Sequence, residues 1–199
     1  MMTKTMQKCA PNQKILKTHI LPPQSDFKGK IVFIFSDPDK AAESALHFTL
    51  TDETFWSLHF KHLESSDHAW RDKVGGPANQ TVNQNLLSYD ALGCHKQLLQ
   101  WLHQKTTPCE PKDAQVLAIK YENLWDKETL VALQSFLSSN IQLPARYERG
   151  CPKEKQDPRE ITFRATHNQG TPEHPKYPAY NEARKLWEAA PSLSYYKLN

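Results

Sequence analysis

The run Ile31-Val32-Phe33-Ile34-Phe35 leaves this chain fewer folding options than any other stretch. β-Branched and aromatic residues without a polar interruption predict a strand covered on both faces, as in parallel sheets with helices above and below. Pro22-Pro23 excludes a regular element just upstream, and Asp37-Pro38 stops the strand. A proline at the first helical position with an acid beside it then favours a helix, whose composition continues through 41–50. Ile15-Leu16 opens a shorter apolar segment that ends at Lys17-Thr18-His19. Residues 14–48 therefore read as strand, turn, strand, turn, helix.

Further along, residues 52–63 place Phe55, Leu58, His59 and Leu63 on one helical face behind Thr51 or Asp52 as cap. Residues 64–85 are polar, contain Gly75-Gly76-Pro77, and read as a long surface loop. Leu87, Leu92, Leu98-Leu99 and Trp101-Leu102 predict a helix ending near His103, with a break at Thr106-Thr107-Pro108. Pro111 and Asp113 lead into a second apolar strand at Val116. The helix at Lys127 to Leu137 follows, with Leu130, Leu133, Phe136 and Leu137 at helical spacing and Ser138-Ser139-Asn140 ending it. Seven of the 14 prolines fall between Pro144 and Pro191, so that segment is expected on the surface. Residues 180–190 predict a last helix with a stripe of Ala183, Leu186 and Trp187 to lay against the sheet. Alternating strands and helices imply an α/β fold with a mainly parallel central sheet flanked by helices. The expected division is one domain over 1–199: a flexible arm (1–13), an α/β core (14–143), a Pro-rich surface segment (144–178), and a C-terminal helix and tail (179–199).

With 199 residues the chain suits a single domain with a hydrophobic core. Its 25 basic and 22 acidic residues leave a net charge of +3, too balanced for a nucleic-acid binder. No apolar run is long enough for a membrane span and residues 1–14 lack a signal-peptide core, so a cytoplasmic protein without membrane contacts is expected. Cys9, Cys94, Cys109 and Cys151 form no CxxC pair and read as free thiols.

Two stretches resemble the sulfotransferase family. Lys17-Thr18-His19-Ile20-Leu21-Pro22-Pro23, a buried strand and then Asp37-Pro38-Asp39 with Ser44 in the next helix are similar to the family's Lys-Thr-His-Leu-Pro segment, strand, Arg-Asp/Asn-Pro-x-Asp turn and helical Ser. Val116 to Leu124 resembles its strand-plus-YEDL signature, in the same order and spacing, so the likeness covers about residues 14–140. It implies a reduced P-loop NTPase-like sulfotransferase fold. It further implies transfer of a sulfuryl group from 3′-phosphoadenosine 5′-phosphosulfate to a hydroxyl or amine of a small-molecule or glycan acceptor.

Such a transfer needs a base for the acceptor proton and cations for charge at the bridging oxygen. The resemblance assigns the base to His19, whose imidazole accepts protons near neutrality, and an assisting charge to Lys17. The bland alternatives are a surface histidine and a solvated lysine at a strand end. By the same resemblance Ser44 contacts the 3′-phosphate and Tyr121 lies against the adenine, although a tyrosine ending a strand also suits the core. Glu122 is expected to cap or brace the following helix.

The chain also departs from the pattern. Ser36 stands at the family's phosphate-gripping Arg position, and a hydroxyl does not replace a guanidinium fork. No glycine precedes Lys17, so the phosphate loop has no counterpart there. Phe163 to Gly170 is the nearest substitute for the family's Arg-Lys-Gly loop, making Arg164 a candidate phosphate contact against a solvated-loop alternative. His59, His62, Glu64 and His68 lack an HExxH pattern, and no metal is expected. The runner-up reading is a catalytically inactive relative that acts as a nucleotide-binding or protein-interaction module.

Overall fold

The computed structural model describes residues 22, 27–51, 90, 92–143 and 176–199. Among the described residues four strands form one sheet: β1 (Ile31–Phe35), β2 (Thr106–Pro108), β3 (Val116–Lys120) and β4 (Leu193–Leu198), in the order β1-β3-β4-β2. The helices are α1 (Pro38–Thr51), α2 (Cys94–Leu99, continued by the π-helical turn Gln100–Gln104), α3 (Lys127–Leu137) and α4 (Asn181–Ala189). The class is mixed α/β.

The sheet corrects the expectation of mainly parallel strands. Among the described strands only β1 and β3 run parallel, in the register Ile31↔Val116 to Phe35↔Lys120. β4 lies antiparallel to both β3 and β2, which makes antiparallel pairings the majority. The reason is β4, a strand absent from the sequence reading, which took these residues as tail. Leu193-Ser194-Tyr195-Tyr196-Lys197-Leu198 alternates too weakly to mark a strand by hydrophobicity alone. Thr106–Pro108, expected as a break, is the short edge strand β2. Its proline falls on an edge, where no ladder donor is missed.

A second correction concerns β1, expected to be covered on both faces. Ile31, Phe33 and Phe35 pack on one face and Val32 on the other, but Ile34 on that second face is 47% exposed, and β1 is an edge among the described strands. The doubly covered strand is β3, whose Val116, Leu117, Ala118 and Ile119 are fully buried. Alternation along the strands splits the core in two. On one face Phe35, Val116, Ala118, Tyr196 and Leu198 pack with Leu98, Trp101 and Leu102 from α2 and its π turn, and with Ala183 of α4. Phe33 adds a ring stacked on Trp101, centroids 5.0 Å apart. On the other face Leu117 and Ile119 meet Leu124 and the Leu133 and Phe136 side chains of α3. Helices on both faces of a sheet make a three-layer arrangement.

Local chemistry fixes the helix ends. Asp37 Oδ1 accepts the Asp39 N–H at 2.9 Å, capping α1 around Pro38. Asp90 accepts the N–H groups of Cys94 (2.9 Å) and His95 (2.6 Å) at the head of α2, with Gly93 in the left-handed conformation (φ 67°) between them. α3 occupies the segment that its periodicity predicts, and it stops at Ser138, also left-handed (φ 52°).

The Pro-rich stretch was expected to keep to the surface. Within its described end Tyr177 is fully buried, because its N–H donates to the buried Asp39 carboxylate at 2.8 Å. The readings over 1–20, 52–85 and 144–175, including the proposed second helix and long loop, lie outside the described residues.

Candidate functional site at the carboxyl edge of the parallel pair

Parallel strands that end in register bring their following loops side by side, and ligands in α/β folds bind outside such carboxyl ends. Phe35 and Lys120 are register partners, so Ser36-Asp37 and Tyr121-Glu122 emerge next to each other. One hydrogen bond ties the loops: the Asp37 N–H donates to Glu122 Oε1 at 3.2 Å. Glu122 thus braces the neighbouring loop, where capping or bracing of the next helix was expected. Its Oε2 is buried and has no hydrogen-bond partner among the described residues.

Ser36 is partly buried, and its hydroxyl donates to the adjacent Asp37 carbonyl at 3.4 Å. Tyr121 is 38% exposed and meets Trp125 edge-on, centroids 5.2 Å apart at 86°. Its ring therefore faces solvent at the site, against the core alternative. Ser44 is exposed on α1, about 9 Å of helical rise past Pro38, beyond the turn whose N–H groups are free for an anion. The parallel register brings Ser36 and Tyr121 together and leaves Ser44 farther along the helix. His19, Lys17 and Arg164 lie outside the described residues, as do His59, His62, Glu64 and His68. Among the described residues no three His, Cys, Asp or Glu side chains gather as metal ligands.

A cluster that sequence reasoning missed closes the head of α1. Arg184 of α4 grips the Asp39 carboxylate with two nitrogens, Nε to Oδ2 at 2.5 Å and Nη2 to Oδ1 at 2.7 Å. Nη1 donates to Asn181 Oδ1 and Nη2 also to the Tyr177 carbonyl. The hydrogen bond to Asp39 holds the guanidinium still more firmly protonated. Asp39 reads locally as a first-turn helix acid, and no nearby signal announces a partner on the last helix.

Burial raises the Asp37 carboxyl above the ordinary carboxylate range, opposed by the N–H of Asp39. Burial raises Asp90 likewise, against the N–H bonds from His95 and Cys94. Desolvation first, then the Asp90 charge, holds the Cys94 thiol protonated and makes it a poor nucleophile. The edge therefore presents Asp37, Asp39 and Glu122 as acids, with Arg184 as the cation paired to Asp39. No helix among the described residues is long and apolar enough to cross a membrane. No protein-family model, no curated protein and no solved structure matches the chain.

Proposed function

We propose that the chain is a sulfotransferase-like protein of reduced P-loop type that moves a sulfuryl group from 3′-phosphoadenosine 5′-phosphosulfate to a hydroxyl or amine acceptor. His19 takes the acceptor proton, Lys17 offsets charge at the bridging oxygen, and Ser36, Ser44, Tyr121 and Arg164 hold the nucleotide. One observation carries this reading. The two separate stretches that resemble the family, around β1 and around β3, pair in parallel and end in register, so their candidate residues Ser36 and Tyr121 border one edge. An exposed tyrosine at such an edge is suited to stack on a base.

A second reading has its own support. Asp39 and Arg184 satisfy each other at the head of α1, and the Asp39 N–H is already bonded to Asp37, where an anion would otherwise seat. This favours a relative that keeps a binding surface without the transfer chemistry. Titration calorimetry with 3′-phosphoadenosine 5′-phosphate, followed by a donor-dependent transfer assay on wild type and His19→Ala, separates the two. The enzyme reading expects saturable heat and transfer that disappears in the variant. Saturable heat without transfer in the wild type supports the binding module, and transfer that survives His19→Ala removes the assigned base.

A further inference from the structure

Three hydrogen-bonding groups on the α2/α4 face of the sheet have no role in the site above. Lys120 closes β3 on that face, since it shares the parity of Val116 and Ala118 and is the register partner of the core residue Phe35. Its ammonium lies over the Trp187 ring, 4.7 Å from the centroid, and no carboxylate pairs with it among the described residues. Trp187 Nε1 is buried and has no hydrogen-bond partner among them. The same holds for Ser194 Oγ on β4. Ser194 is the register partner of Ala118, which puts its side chain on the Lys120 face, and the Lys120 N–H bonds the Ser192 carbonyl at 2.9 Å. Cross-strand neighbours stand about 5 Å apart and diagonal ones about 7–8 Å, within the reach of a lysine. Ala118, between them, contributes only a methyl group.

An indole N–H and an ammonium donate and never accept, and a hydroxyl can also donate. An indole N–H and a hydroxyl left buried and unmatched have lost their water without a replacement, so such groups call for an acceptor. We infer that Lys120, the Trp187 indole N–H and the Ser194 hydroxyl form a binding site for a tetrahedral oxyanion, sulfate or phosphate, between β3, β4 and the last turn of α4. The competing role for Lys120 is purely structural, a cation seated on an indole near the carbonyl end of a helix. That role needs no anion. The site is independent of the donor reading, because none of its residues belongs to the nucleotide contacts assigned above.

Nitrogen-15 NMR of the full chain tests it, with the Trp187 indole cross-peak assigned by its loss in Trp187→Phe. Sodium sulfate and sodium phosphate should each shift that peak saturably, while sodium chloride at equal ionic strength should not. Lys120→Met should weaken sulfate binding at least about tenfold, Ser194→Ala about tenfold, and Lys120→Arg by less, the dispersion of each spectrum reporting that the fold is kept. A shift that never saturates, that chloride reproduces, or that persists with wild-type affinity in Lys120→Met overturns the site.

Discussion

Asp39 shows how far a single side chain's role can lie from its local reading. Its carboxylate is 6% exposed and spans from the head of α1 to Arg184 and the Tyr177 N–H. Removing one partner of such a pair strands the other charge in a dry place, at a cost of about 3–5 kcal/mol. Arg184→Met should therefore lower the urea midpoint strongly, and Arg184→Lys should recover little, since an ammonium cannot make the two-nitrogen grip. An equal midpoint for Arg184→Lys and wild type would show that charge alone suffices. Residues whose function rests on a neighbour in sequence were legible: the Asp37-Pro38 start of α1 and the strand-ending Tyr121 both sit where their surroundings predict. Glu122, Asp39 and Arg184 were not, because each finds its partner at least 85 positions away.

Elements with strong periodicity or an unbroken apolar run were legible too. α3 occupies Lys127–Leu137 as expected, and β1 and β3 fall on their apolar runs. β2 and β4 escaped notice because three residues with a proline, and a six-residue strand broken by Ser194 and Lys197, carry little signal of their own; their pairing with β3 and with each other makes them strands. α3 also offers a direct test of its ending. Ser138 is exposed and held at φ 52°, where a Cβ is strained, so Ser138→Gly should stabilise the fold by about 0.5–1 kcal/mol. A thermal midpoint that falls instead would mean that the serine side chain holds the turn.

The molecule as a whole depends on its last described strand. β4 stands between β3 and β2, and its Tyr196 and Leu198 belong to the same buried cluster as Val116 and Ala118. Deleting 193–199 should abolish the cooperative unfolding transition and yield a species that aggregates on size exclusion. A sharp transition in the shortened chain would show that β1, β3 and α3 fold without it. The position of β4 also bears on how the protein is born. Strands β1, β2 and β3 leave the ribosome well before residue 193, yet until then β2 has no partner among the described strands and β3 only half of its described ladder. At about 5–20 residues per second, the apolar run Val116–Lys120 waits several seconds with one edge open, a window in which chaperone binding should be strongest.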